Sequence, residues 1–143
     1  MVHALREAWR VARWFVLDIR PVADEPEVWV RDRSGGETRC GGLTWVGDGP
    51  VGHAQASAAV DQILNEGWFA APAPRRFEWV DVFDDADDLI ECVSEEWEHR
   101  SVGEETSLRL VEALSRAGRG AAPFIRQGIQ AQLLRKVRLT KLV

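Results

Sequence analysis

The first third of the chain carries an apolar pattern that predicts one helix followed by three strands. Apolar residues at helical spacing predict an amphipathic helix over residues 3–12. The almost unbroken apolar run Phe15–Ile19 predicts a strand that is buried on both faces at the centre of a sheet. The alternating segment Glu27–Asp32, the turn Ser34–Gly36 and the segment Glu37–Trp45 predict a β-hairpin.

The middle of the chain predicts a helix, a strand and a second helix. Apolar residues form one stripe over His53–Glu66, and Gly67 follows as the glycine that ends this helix. The apolar and aromatic run Phe77–Phe83 predicts a strand covered on both faces. Asp84 or Asp85 is placed to cap the next helix. That helix is expected to bury three side chains, those of Leu89, Val93 and Trp97.

The last third predicts two further helices. The capping box Ser101–Glu104 opens the first, which ends at Gly118. Its inward apolar residues are predicted to be Leu108, Val111 and Leu114. Pro123 is placed to open the second, with the apolar side chains Phe124, Ile125, Ile129 and Leu133. Residues 136–142 fit either a strand or a frayed helix end. The chain is therefore predicted to be a single α+β domain over residues 1–143, with a small mixed sheet of about four to five strands and four to five helices.

Composition and charge mainly exclude classes of protein. The 143 residues are 45% hydrophobic and carry 18 Lys and Arg against 23 Asp and Glu, a net charge of −5. Such an acidic chain is not expected to bind nucleic acid over its whole surface. No signal-peptide segment and no run of about 18 apolar residues is present, so neither export nor a membrane partner is expected. With only Cys40 and Cys92, a disulfide framework is excluded, and a cytoplasmic location is predicted.

Two acidic segments resemble metal sites, and neither predicts one. Glu95 and His99 would share a helix face at a spacing of four, but His3 and His53 have no ligand-like neighbours that would complete the site. The segment Asp84–Asp88 lacks the glycine and the bidentate glutamate of a calcium loop. Solvated acidic faces and helix capping explain both patterns, so no metal is predicted.

Glycine and cysteine patterns also predict no catalytic chemistry. The glycine pairs at 35–36 and 41–42 match neither a dinucleotide-binding fingerprint nor a phosphate-binding loop, and both are predicted to be turn glycines. Cys40 and Cys92 have no base beside them, and no serine lies in a nucleophile elbow. Cys92 is expected to be a small buried residue of a helix stripe. No catalytic residue is therefore predicted.

Charge is distributed unevenly along the second half. Residues 81–112 contain twelve acidic and two basic residues, whereas residues 119–143 contain six basic and no acidic ones. The basic segment contains one Phe, Phe124, and no Tyr, so it lacks a series of aromatic residues interleaved with the basic ones that would stack on bases. Pairing of the basic segment with the acidic one, within a chain or across a dimer, is therefore expected in preference to nucleic-acid binding.

The order of elements resembles the C-terminal half of class I S-adenosylmethionine-dependent methyltransferases, which are Rossmann-like. The segment His3–Ala12 followed by Phe15–Pro21 is similar to the helix and fifth strand of that family. The segments Phe77–Asp84 and Leu89–Arg100 are similar to the late strand and helix of its small bacterial members. These motifs are structural, and together they cover most of this chain but only half of the family's domain.

The family's cofactor-binding features have no counterpart here. Its members hold the cofactor with a glycine-rich turn after the first strand and an acidic residue ending the second, in a half that would precede Met1. Their Pro-Gly-Gly turn before the fifth strand is replaced by Ala12-Arg13-Trp14. No cofactor-binding residue can be assigned by the resemblance, and no cofactor is expected. The resemblance therefore implies a related fold without independent methyl transfer.

Three functions follow as hypotheses. The first is a non-catalytic, methyltransferase-like half-domain that acts as an interaction or assembly module. The second is one subunit of a split methyltransferase that a partner protein completes. The third is a small-molecule binding protein with a pocket lined by some of its seven Trp residues. In a chain without Tyr, however, Trp also supplies the large side chains of the core.

The first hypothesis predicts a homodimer. The strand Phe15–Ile19 would present an apolar edge with unpaired backbone groups, which favours pairing with another chain. The candidate interface residues are Trp9, Trp14, Phe15 and Leu17. The alternative is a monomer in which the hairpin over Glu27–Trp45 folds across this edge.

Overall fold

The computed structural model describes residues 1–22, 24–46 and 51–137. These ranges contain four helices and seven strands, which confirms the α+β class and the predicted number of helices. In chain order they are α1 (Val2–Val11), β1 (Phe15–Pro21), β2 (Glu27–Arg31), β3 (Glu37–Trp45), α2 (Val51–Asn65), β4 (Phe69–Ala70), β5 (Arg75–Val82), α3 (Ala86–Glu96), β6 (Arg100–Val102), α4 (Glu104–Ala117) and β7 (Ala122–Lys136). Most of the predicted tail element over 136–142 lies outside the described residues.

The sheet is larger than predicted and is not mixed. Its seven strands run in the order β1-β7-β2-β3-β6, and β4 and β5 also pair with β7. The ladders of β1, β2 and β4 with β7, of β2 with β3, and of β3 with β6 are antiparallel. The expectation of a small mixed sheet with four to five strands is therefore corrected to an antiparallel sheet with seven.

The long strand β7 replaces the helix that Pro123 was expected to open. Phe124 and Ile125 are adjacent in sequence and both are buried, as happens in a strand that is covered on its two faces. A short apolar run of this kind fits a helix and a covered strand equally well, and its neighbours in the sheet decide between them. Here β7 pairs with four other strands, which supply partners for its backbone.

One compact unit comprises residues 1–23, 50–77 and 129–143. Its core contains buried residues of α2, β4 and β7, and one face of α1 packs against them. The buried members are Val60, Ile63, Phe69 and Leu134. The helices predicted over 3–12 and 53–66 are both confirmed, and Gly67 follows α2 with a φ of +77°, as a helix-ending glycine does.

The second compact unit comprises residues 24–49 and 78–128. Helices α3 and α4 contribute to its core together with β2, β3 and the first part of β7. The buried members include Val28, Val30, Leu43, Leu89, Val93, Leu110 and Ile125. The prediction for α3 is confirmed at Leu89 and Val93, and Asp85 caps this helix by accepting a hydrogen bond of 2.9 Å from the backbone nitrogen of Asp88.

Helix α4 is rotated relative to the prediction. It buries Thr106, Leu110 and Ala113, whereas the expected inward residues Leu108 and Val111 are 65% and 57% exposed. The expected capping box is also wrong, because Ser101 belongs to β6 and the helix begins after Gly103 without a side-chain cap. Gly118 ends the helix at a φ of +74°, as predicted.

A close approach of α4 to β3 explains this rotation. Gly41 lies within β3, and a Cβ atom added there would be 2.2 Å from Thr106 Oγ1. The Thr106 hydroxyl donates a 3.3 Å hydrogen bond to the carbonyl of Gly42. The pair at 41–42 therefore consists of strand glycines that admit a helix, not turn glycines. The pair at 35–36 does form the β2–β3 turn, where Gly35 has a φ of +91°.

Candidate interaction surface

Strand β1 has one face inside its unit and one face outside. Val16 lies opposite Leu134 in the ladder with β7, and both pack in the core with α1 and α2. On the same face, the Arg20 guanidinium lies 3.1 Å from an Asp18 carboxylate oxygen and donates a 3.2 Å hydrogen bond to Ser57 Oγ. The inner face of β1 thus combines apolar packing with an ion pair between Asp18 and Arg20, although the buried Oδ2 of Asp18 accepts no hydrogen bond within the described residues.

The outer face of β1 is apolar and exposed. Phe15, Leu17 and Ile19 alternate with the inner residues, and their side chains are 55%, 54% and 57% exposed. Across the ladder, Leu17 lies opposite Leu133 and Ile19 lies opposite Ala131. We refer to these five residues as the β1 surface. An outer sheet face commonly carries polar residues, so three half-exposed apolar side chains in a row make this face a candidate contact surface.

The prediction of a central strand buried on both faces is therefore wrong for β1. Within the described residues, β1 pairs with β7 on one edge and with no strand on the other. The apolar run Phe15–Ile19 looks like a fully buried strand because its outward residues are as apolar as Val16. The prediction for β5 is wrong for the same reason, since Phe77 and Trp79 are 47% and 56% exposed.

The hydrogen bonds of β1 reveal which residues face the open edge, meaning the edge away from β7. The Lys136 backbone nitrogen donates a 2.9 Å hydrogen bond to the Trp14 carbonyl, and these residues are opposite each other in the extended ladder. In an antiparallel ladder, bonded and non-bonded pairs alternate along the strand. The N–H and C=O groups of Phe15, Leu17 and Ile19 therefore point toward the open edge.

Pro21 fits the same alternation. It is the next residue in the series that faces the open edge, and a proline has no N–H group to leave unpaired there. Along the open edge, β1 thus presents donors at Phe15, Leu17 and Ile19 and none at Pro21. Within the part of the chain that the structure describes, no strand accepts these three donors.

The structure brings together some of the predicted interface residues and separates one from them. Phe15 and Leu17 share the outer face of β1, and the adjacent Trp14 is 60% exposed. Trp9 instead packs edge-on against Trp68, with the ring centroids 5.0 Å apart. Lys136 Nζ lies 4.4 Å from the centroid of the Trp9 ring, so this side chain is occupied inside its own unit. Sequence analysis omitted Ile19 from the interface residues, although the alternation of 15, 17 and 19 was the signal for it.

The segments that were considered as metal sites hold no such arrangement. Helix α3 ends at Glu96, so Glu95 and His99 do not share a helix face, and His99 has a φ of +62°. Over the described ranges, no group of three or more His, Cys, Asp or Glu side chains is placed to hold a metal ion. Asp85 serves as the cap of α3.

The two thiols are not activated. Burial raises the pKa of the Cys40 thiol above its ordinary value. Burial, followed by the nearby carboxylate of Glu96, raises the pKa of the Cys92 thiol. Both side chains are therefore protonated near neutral pH, and the thiolate that nucleophilic catalysis requires is disfavoured.

Two surface cavities formed by described residues have no Trp in their linings. One cavity of about 340 Å³ is lined by Ala70, Ala71, Pro72 and Arg135. A second cavity of about 160 Å³ is lined by Val30, Asp32, Gly36, Thr38, Ala113, Arg116 and Ala117. Neither lining includes a Trp, so these cavities do not provide the predicted Trp-lined pocket.

The described basic side chains do not pair with the acidic segment in the way the charge pattern suggested. Arg126 bonds Glu37 at 2.6 Å and lies 3.5 Å from Glu78, both outside residues 81–112. Two ion pairs of that segment form within α4, between Arg109 and Glu105 and between Arg116 and Glu112. Pairing of the basic segment across a dimer stays a prediction, and Arg138 and Lys141 lie outside the described residues.

Comparison with protein-family models, with curated protein sequences and with solved structures finds no match to this chain. None of the helices in the described ranges combines the length and the apolar character that a bilayer-spanning helix requires.

Proposed function

We propose that this protein is a non-catalytic assembly module that associates with itself through the β1 surface. The observation that carries the proposal is the outer face of β1, where Phe15, Leu17 and Ile19 are each more than half exposed along an open strand edge. Apolar side chains and unpaired backbone groups at one place favour the addition of a second chain.

Covering the three side chains provides a large part of the free energy that association needs. Fully burying a Leu, Ile or Phe side chain contributes about 1.5–3 kcal/mol, so covering the exposed half contributes about 0.8–1.5 kcal/mol. Complete covering of the six side chains of two copies would contribute about 5–9 kcal/mol, which is an upper limit because pairing along the strand edge covers only the parts that meet across it, against an association cost of about 4–15 kcal/mol. Each added backbone hydrogen bond contributes a further ~0.5–1.5 kcal/mol, so the apolar face and the strand edge together favour the dimer.

The methyltransferase-like character of the first two hypotheses and the Trp-lined pocket of the third have less support. Rossmann-like sheets are mostly parallel, and the described ladders are antiparallel, so the ladders do not favour either a methyltransferase-like half-domain or a split methyltransferase. A Trp-lined pocket is not favoured because Trp9 and Trp68 pack against each other and the two cavities contain no Trp. The support for the assembly function therefore comes from the β1 surface and not from the resemblance.

Light scattering coupled to size exclusion tests the proposal. At tens of micromolar we expect a mass of twice the 16.1 kDa chain for the wild type and a single chain mass for Leu17→Asp, which places a charge in the contact. The matched control is Leu108→Asp on α4, where the leucine is 65% exposed and lies outside the β1 surface. A wild-type mass of one chain, or equal dissociation of both variants, would refute the proposal.

A further inference from the structure

We infer that the β1 strands of two copies pair edge to edge and antiparallel, with a two-fold axis passing at Leu17, so that one continuous sheet crosses the dimer. This inference rests on the proposed self-association and specifies which atoms make the contact. It follows from the direction of the backbone groups of β1 and from the position of Pro21.

Pairing centred on Leu17 uses every donor that β1 presents along its open edge. Leu17 lies opposite the Leu17 of the second copy, and Phe15 lies opposite its Ile19. Because all three residues direct N–H and C=O toward this edge, each opposed pair exchanges two hydrogen bonds. No donor of Phe15, Leu17 or Ile19 is left without an acceptor.

Neighbouring registers are less favourable. An axis at Asp18 places the two Asp18 carboxylates directly opposite each other and sets Phe15 against Pro21, which has no N–H to donate. An axis at Ile19 sets Leu17 against Pro21 and again loses a hydrogen bond from each copy. A two-fold axis at a residue that precedes Leu17 places Ile19 opposite residues that precede β1, so Ile19 then has no strand residue to pair with in the second copy. The register centred on Leu17 avoids all three defects.

The side chains agree with this register on both faces. On the outer face it aligns Leu17 with Leu17 and Phe15 with Ile19, which are the apolar cross-strand pairs that stabilise antiparallel sheets. On the inner face it places Val16 opposite Asp18, whose carboxylate already lies 3.1 Å from the Arg20 guanidinium of its own copy. No two like charges are directly opposed within β1.

Disulfide cross-linking tests the register, with dissolved oxygen as the oxidant. We use variants with one added cysteine in a Cys92→Ser background, where the remaining Cys40 is buried. Leu17→Cys places the two Cα atoms about 5.5 Å apart, within the range a disulfide spans. Phe15→Cys or Ile19→Cys alone places the two Cα atoms about 14 Å apart, beyond the range a disulfide spans. We therefore expect the Leu17→Cys chain to form a cross-linked dimer at least tenfold faster than the Phe15→Cys chain alone or the Ile19→Cys chain alone. A mixture of the Phe15→Cys and Ile19→Cys chains should cross-link faster than each of the two alone by the same factor.

Amide hydrogen exchange on the unsubstituted chain provides a test that depends on no variant. The amides of Phe15, Leu17 and Ile19 are expected to gain protection as protein concentration rises through the dimer transition. The amides of Val16 and Asp18 face β7 and are expected to be protected throughout.

The outcomes separate this inference from the proposed function. A dimer that cross-links fastest through Ile19→Cys, or that leaves the three outward amides unprotected, would overturn the register and leave self-association intact. The second of these results would instead indicate that the outer faces stack without pairing of the edges. A chain that remains monomeric at all concentrations would overturn both proposals.

Discussion

Replacing Gly41 with alanine is expected to destabilise the protein through a single contact. The new Cβ atom would lie 2.2 Å from Thr106 Oγ1 and 3.1 Å from Thr106 Cβ and Cγ2. Real Cβ atoms essentially never come within 3.0 Å of another heavy atom. Thr106 is only 8% exposed and lies on the buried face of α4, so the overlap is relieved only by another Thr106 rotamer or by a shift of the helix. Overpacking of this kind costs about 1–3 kcal/mol of the free energy of unfolding.

Urea unfolding of four chains isolates this contact. They are the wild type, Gly41→Ala, Thr106→Ala and the double variant, all compared at one protein concentration because association contributes to stability. Thr106→Ala removes the hydroxyl that the new alanine would contact. Gly41→Ala should therefore lower the free energy of unfolding by at least about 1 kcal/mol less in the Thr106→Ala background than in the wild type, which is roughly the coupling expected of contacting residues. Gly52→Ala on α2 is the matched control, because nothing lies within 4 Å of its added Cβ.

Two results would refute this reasoning. A Gly41→Ala chain with the stability of the wild type would mean that α4 does not approach β3 as closely as described. A loss of stability that is equal in the wild-type and Thr106→Ala backgrounds would mean that the cost arises in the β3 backbone and not at the helix. In both cases the explanation of the α4 rotation would fail with it.

Two further stability predictions follow from local hydrogen bonds. Hydrogen bonds from Arg126 and Arg31 hold the pKa of the Glu37 carboxyl below its ordinary value of 4.5. The contribution of Glu37 to stability is therefore complete above pH 4.5 and is lost as the pH falls through the lowered pKa. In an acid titration, the difference in the free energy of unfolding between the wild type and Glu37→Gln should shrink below pH 4.5. A difference that grows on acidification would contradict this sign. Asp85→Ala removes the cap of α3 and should lower the free energy of unfolding by about 0.5–2 kcal/mol in urea titrations, whereas Asp87→Ala, in the first turn of the same helix, should cost less; equal losses would contradict the capping role.

Several local signals in the sequence predicted the ends of elements correctly, although the capping box over Ser101–Glu104 and the helix start at Pro123 were wrong. The Asp85 cap, the turn at Gly35 and the helix-ending glycines Gly67 and Gly118 are each decided by a few adjacent residues. Such features depend on short-range hydrogen bonds and on backbone angles that glycine adopts readily. They do not depend on which distant segment packs nearby.

Features that depend on distant partners could not be predicted in this way. Helix α4 has apolar residues on two sides, and the side that carries Thr106 and Ala113 is buried because Gly41 admits a helix face with small side chains. The run Phe15–Ile19 was correctly predicted to be a strand, but its position at an edge depends on pairing with β7, which is distant in sequence. Exposure of Leu17 is a consequence of that pairing and is not encoded in the run itself.

Pro21 has a consequence for how far any sheet built on this strand can grow. A flat edge with a donor at every second residue is a template on which further chains of any length can align, as in amyloid. Here the edge is limited to the three donors before Pro21. In the proposed dimer, antiparallel pairing of two identical edges engages both of them, so this assembly is closed and leaves no copy of this edge for a third chain. If the two chains pair as we propose, the short strand that ends in Pro21 joins two copies and offers this edge to no further chain.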